Sequence, residues 1–192
     1  MSTASGHRPV TRWSGLPLVA TVFTGMNALI LTLIAFGNIT DWDTNWDFVR
    51  NVMGMQYTNF GQDAGIGLDP DVMWHAVALE PLQVIGYIGI IVAETVAAIV
   101  LIVATVKWLR AFRGDTFQSA RNWSTAGLLL IVVIFGIGFL AVGGEWFQMW
   151  RSVSANGMEP ALRYLTVASF ALVFVNLPSP RWNTAKPGEL PS

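Results

Sequence analysis

Cysteine is absent from the 192-residue sequence, which excludes disulfides, thiolate metal sites and dithiol redox chemistry of the quinone-coupled kind. Charge is scarce too: 12% of residues are Asp, Glu, Lys or Arg, against roughly 25% in a soluble domain. Histidine occurs twice, as His7 and His75, and a lone histidine in the folded part makes neither a bis-histidine haem nor a zinc site. There is no glycine-rich phosphate loop, no Ser-His-Asp set and no His-Glu-x-x-His motif, so catalysis is disfavoured. Asp41-x-Asp43 and Asp69-x-Asp71 lack the glycine and distal glutamate of a calcium loop. Neither a metal nor a cofactor is expected, and the net charge of −1 gives no indication of a nucleic-acid partner.

What is abundant is apolar length: 53% of the chain is hydrophobic. Runs at 16–36, 82–106, 126–142 and 162–177 can each cross a hydrocarbon core that needs roughly 20 helical residues, the last two with help from interfacial anchors. The expected fold is all-α, a four-helix transmembrane bundle over 16–177, with tails at 1–15 and 178–192. The first run is not followed by an Ala-x-Ala-like cleavage pattern and reads as a retained span. All nine tryptophans fall outside the apolar centres, as expected of an aromatic belt at both membrane faces.

Lys and Arg set the expected orientation. Arg8, Arg12, Lys107, Arg110, Arg113, Arg121, Arg181 and Lys186 would lie on one side, and only Arg50, Arg151 and Arg163 on the other. The positive-inside rule therefore places both termini in the cytoplasm and the protein in the inner (plasma) membrane.

The connection at 37–81 is too long for a plain linker and is expected to be a partly helical extracytoplasmic loop. Thr44-Asn45-Trp46-Asp47 has capping-box spacing, and Trp46, Val49 and Met53 recur on one helical face. Asp69-Pro70 reads as the start of a second helix through Val72, Met73, Ala76 and Leu79, breaking near Glu80-Pro81. The third span is expected to continue as helix to Arg151, setting Glu145 over Met149 and Trp146 over Trp150. Gly136, Gly138, Gly143 and Gly144 would admit a neighbouring helix closely.

Glu94 is the residue with most potential for chemistry. It sits in the middle of the second run, where an acidic side chain costs ~2.5–3.5 kcal/mol and so faces a bundle interior or cavity. It reads as a carboxyl hydrogen-bonded to Asn27, Thr24 or Thr32 of the first span. Alternatives are a proton or cation relay, or a contact with a partner membrane protein. A second candidate site is an outer interface network of Glu145, Trp146, Trp150, Arg151 and Arg163, either closing the bundle end or meeting a headgroup or ligand.

Several segments taken together resemble a known group: Asn38-Ile39-Thr40-Asp41 with Asn45, Phe48 and Val49, then Met53-x-Met55, the mid-span Glu94, and Gly143-Gly144-Glu145-Trp146-Phe147-x-Met149-Trp150. They are similar to a family of small predicted integral membrane proteins of prokaryotes, a domain of unknown function. The similarity runs from about Leu18 to Pro178. Arg151-Ser152 and Ala155-Asn156-Gly157 stand where members often carry Gln-Ser and Trp-Asn-Gly. The resemblance implies four spans and a bacterial source, and no established activity. A non-enzymatic accessory or assembly subunit, in contact with the bilayer and with another membrane protein or itself, is the expected function. The alternatives are a proton- or cation-linked transporter or small channel using Glu94, and a membrane enzyme acting on a lipid or quinone.

Overall fold

A computed structural model describes residues 15–114 and 116–183. Arg8, Arg12, Trp13, Asp115, Lys186 and most of both tails lie outside the described residues, as does the side chain of Arg181. The elements are α1 (Leu16–Thr40), α2 (Trp42–Met53), α3 (Glu80–Ala111), α4 (Phe117–Ile131) and α5 (Met158–Asn176), with no strand among the described residues. α4 runs on without interruption as a π-helix over Val132–Trp146, where Phe147 N donates to the carbonyl five residues back, on Val142 (3.0 Å). Four helices are long and apolar enough to cross a membrane: α1, α3, α4 with its extension, and α5. The expected spans fall on these four helices, the fourth running one residue past the end of α5, to Leu177.

These four close a ring in which each packs on the next and α5 returns to α1. Asn38 of α1 meets Glu94 of α3, and Gly25 lies near Thr105, so α1 and α3 are antiparallel. The end holding α2 and the long loop is the cap end; the end holding residues 112–114 and 116 is the tail end. Alanines fill the seams, with Ala20, Ala97, Ala104, Ala168 and Ala171 fully buried, because small side chains let helices approach where no hydrophobic effect drives them together. The tightest approach is at Gly127, where a Cβ would stand 2.7 Å from Leu101. The expected close approaches at Gly143 and Gly144 are instead pockets for the side chains of Met149 and Met158, and Gly136 is in ordinary contact with Leu165.

Polar groups within the spans are largely bonded inside their own helix. Thr21, Asn27, Thr32, Thr95, Thr105, Ser124, Thr166, Ser169 and Asn176 each donate to the carbonyl four residues earlier, at 2.7–2.9 Å. Such back-bonding removes the cost of an unpaired hydroxyl or amide in lipid.

The cap end departs from expectation in three places. α2 begins at Trp42, without a side-chain cap, and Asn45 Nδ2 donates to the Asp41 carbonyl, so the Thr44 capping box does not form; its Trp46, Val49 and Met53 face does pack inward. The helix expected after Asp69-Pro70 is a single 3₁₀ turn, Met73–His75. Val77 N donates to the Met53 carbonyl (2.8 Å) and Gln83 Nε2 to the Val77 carbonyl (2.7 Å); these bonds hold the segment extended, and Pro81 opens α3 instead of ending a helix. Finally, the third span stops at Trp146. Gln148 takes a left-handed φ of 50°, and the chain turns into a short 3₁₀ segment, Met149–Arg151. Trp146 then packs on His75 and Trp74, while Trp150 packs on Phe60, so the two are not stacked one turn apart.

The aromatic belt is likewise incomplete. Trp42, Trp74, Trp123, Trp146 and Trp150 are exposed, but Trp108 and Trp182 are buried in a tail-end cluster with Phe117.

Candidate functional site

Glu94 is buried, and its Oε2 accepts a hydrogen bond from Asn38 Nδ2 at 2.6 Å. None of the partners expected from sequence is used: Asn27 and Thr32 bond their own helix, and Thr24 Oγ1 donates to Ser124 Oγ (3.2 Å). The reason is register. Glu94 lies midway along α3 yet level with the last turn of α1, so α3 extends beyond α1 at the cap end. Asn38 is itself held by Tyr87, whose Oη donates to the Asn38 carbonyl at 2.8 Å. Tyr87 rests against Trp42 and Trp46 of α2 (ring centroids 4.7 and 6.2 Å).

Glu94, Asn38 and Tyr87 line a half-open cavity of about 420 Å³, within the range of small-molecule sites. Its wall continues through Phe48 and Asn45 of α2 to the exposed Asn156, with Phe135, Phe139 and Tyr164 on the opposite helices. No Lys, Arg or His is in that lining. On the tail side of Glu94 the ring is filled by Ala97, Ala98, Leu101, Leu128, Ile131 and Trp108, all buried. None of these residues belongs to the cavity lining, which reaches down α1 as far as Ile34 and Leu33. A neighbouring cleft of about 430 Å³ lies under α2 between α3 and the π-helical stretch, and its lining is entirely apolar, from Met53, Gly86 and Gly89 to Ile137 and Val142.

The expected outer network is not assembled. Arg151 pairs with Asp69 (3.1 Å), Arg163 lies 3.8 Å from Glu159 with both side chains exposed, and Glu145 takes part in no ion pair among the described residues. Ending the helix at Trp146 is what separates them. Arg151 turns into the loop, where its guanidinium sits 5.3 Å from the Phe60 ring and 5.6 Å from that of Trp150. Phe60 N donates to the Arg151 carbonyl (3.0 Å), so the pair latches the long loop to the following connection. The Arg151 guanidinium, with the Asp71 amide, holds the Asp69 carboxyl below its usual range. A depressed carboxyl stabilises the fold above its ordinary pKa of ~3.9 and loses that contribution as pH falls through the folded value. Accordingly, hydrogen-exchange protection at Phe60 and Asp71, taken relative to the intrinsic amide rate, should fall on acidification below about pH 4, and Asp69→Asn should remove that pH step while lowering protection at pH 7. An unchanged acid profile in Asp69→Asn would rule out the latch.

Among the described residues no three His, Cys, Asp or Glu side chains converge to hold a metal ion.

With this geometry in place, residues 16–178 match the family model described as predicted small integral membrane protein (DUF2165). The chain belongs to that family. The match spans all four membrane-length helices, the loop over the cap and the cavity at Glu94. It brings no assigned activity, since the family is a domain of unknown function. No curated protein and no solved structure matches the chain.

Of the residues singled out from sequence, Glu94 is placed on a cavity and Asn27 is buried on α1, bonded to the Phe23 carbonyl and apart from that cavity. Asn38, Tyr87 and Tyr164 were not anticipated as site residues. Asn38 belongs to the Asn-Ile-Thr-Asp segment noted after the first run, so the signal existed; what sequence could not supply was the α1–α3 register, which the long loop leaves free.

Proposed function

We propose that this integral membrane protein is a non-enzymatic binding or accessory subunit that receives a ligand or partner group through its cap-end cavity. The cavity at Glu94, whose lining includes none of the residues that fill the tail end, carries the reading. A relay or channel needs access from both faces, whereas a binding site needs one. The scarcity of catalytic motifs in the sequence points the same way. The eight-to-three division of Lys and Arg supports a bacterial plasma membrane location with cytoplasmic termini and an external cap.

Gly37 offers a clean test, because it lines the cavity and a Cβ there meets nothing within 4 Å. Gly37→Leu should fold at least as well as the parent, since helical glycine costs roughly 1 kcal/mol, but fail to complement a deletion strain. Full complementation by a folded Gly37→Leu variant would sink the binding reading. Proton- or cation-linked transport is the second reading, favoured by a buried carboxylate on an open cavity. In proteoliposomes given an acid pulse, proton entry should equal that of empty vesicles. Entry above that background and abolished by Glu94→Gln would put transport first.

A further inference from the structure

The Glu94 cavity holds a single carboxyl group, has aromatic walls and includes no Lys, Arg or His in its lining. Phe135 stands 5.5 Å from Phe139 and 5.0 Å from Tyr164, centroid to centroid, forming a continuous aromatic row. Phe48 and Tyr87 add rings from α2 and α3. Two of its hydrogen-bond donors, by contrast, are already committed. Tyr87 Oη bonds the Asn38 carbonyl, and Asn45 Nδ2 bonds the Asp41 carbonyl. Asn38 Nδ2 is thus the one side-chain donor among the described residues shown on Glu94, whereas a carboxylate accepts about four hydrogen bonds. Aromatic faces attract cations, and they do so most strongly where water is excluded.

We infer that the cavity is a site for an organic ammonium group, its N–H donors directed to Glu94 and its carbon substituents against the ring row. The inference rests on the binding reading above and adds the ligand's chemistry to it. A bare metal cation is a poorer match, because Glu94 is the one carboxylate in the lining and the described residues gather no group of three metal-ligating side chains. The ammonium could arrive as a free amine from the cap side or as the headgroup of an aminolipid, since the lining also includes Leu33 and Gly37 of α1 and Pro160 of α5.

The test uses the full chain. In one arm, detergent-solubilised protein is titrated with ethanolamine at neutral pH and followed by saturation-transfer NMR. In the other, nanodiscs of phosphatidylethanolamine mixed with phosphatidylglycerol are opened in a native mass spectrometer and the retained lipids identified. Ethanolamine binding weakened at least tenfold by Glu94→Gln establishes the site with a free amine as ligand. Selective retention of phosphatidylethanolamine, lost in Glu94→Gln, establishes it with a lipid source. Because the carboxamide preserves shape and the Asn38 hydrogen bond, the variant should fold, and melting curves verify this. Gly37→Leu provides a second blocked variant that leaves the carboxylate intact, and it should weaken either ligand comparably. No binding in either arm, or binding indifferent to both substitutions, overturns the assignment. That result would leave the binding reading standing, since complementation and proton flux test it separately.

Discussion

Trp108→Ala should lower the stability of the bundle in detergent by about 3–5 kcal/mol, the cost of emptying a buried aromatic position. For a chain of this length that corresponds to roughly 6–20 °C in melting temperature. Trp108 has 0% exposure, lies 5.7 Å from the Phe117 ring and 5.8 Å from that of Trp182, and donates from Nε1 to Ser124 Oγ at 2.8 Å. Ser124 also receives Thr24 (3.2 Å) and donates to the Ala120 carbonyl (2.9 Å), so this one serine joins α1, α3 and α4. Alanine would leave a void beneath Trp182, whose ring also carries Arg121 at 4.8 Å. Trp123→Ala is the control: that side chain is exposed and near Lys107 alone among the described cations, and its loss should change melting little. Equal melting of the two variants would mean the tail-end cluster does not hold the helices together.

Gly127→Val should be comparably damaging for the opposite reason. The first carbon added to Gly127 already falls 2.7 Å from both Cγ and Cδ2 of Leu101 and 3.1 Å from Val100 Cγ1, and Leu101 is fully buried. Overpacking a filled core typically costs 1–3 kcal/mol, and valine adds two further methyl groups beyond that first contact. α3 and α4 must then separate, which would also loosen the Ser124 junction one turn away. Gly89→Ala, where nothing lies within 4 Å, should be neutral or stabilising. Combining Gly127→Ala with Leu101→Ala should recover part of the loss, since the two sites share one volume. Strict additivity in that double variant would mean the contact is not the cause.

These two positions show where sequence reading succeeds and where it stops. Apolar length located all four spans, and most ends moved by a few residues, the largest shift being the start of the third, at Phe117 instead of 126. Long runs of one character dominate their local environment, so little else can override them. Trp108 was read as interfacial because tryptophan prefers the headgroup region; its burial depends on Phe117 and Trp182, which reach it only through tertiary packing. Gly127 drew no attention beside the conspicuous glycines at 136–144, because a close approach depends on which face meets which helix. Likewise Glu94 was visible as an anomaly, whereas its donor was sought at the middle of α1, at Thr24, Asn27 or Thr32, and lies in the last turn, at Asn38. The 3₁₀ turn at Met73–His75 and the stop at Trp146 were decided by long-range backbone hydrogen bonds and a left-handed residue, neither of which leaves a local pattern.

The back-bonded hydroxyls and amides have a consequence for the order in which the protein can be built. A helix whose polar side chains are satisfied by its own carbonyls can enter the bilayer alone, and α5, the least apolar of the spans at a mean hydropathy of 1.4, meets that condition at Thr166, Ser169 and Asn176. α3 does not, since the partner of Glu94 sits on another helix. That partner, Asn38, lies on α1 and so leaves the ribosome before α3. The donor is therefore in the membrane when the carboxyl arrives, and α1 with α3 forms the pair onto which the later helices assemble.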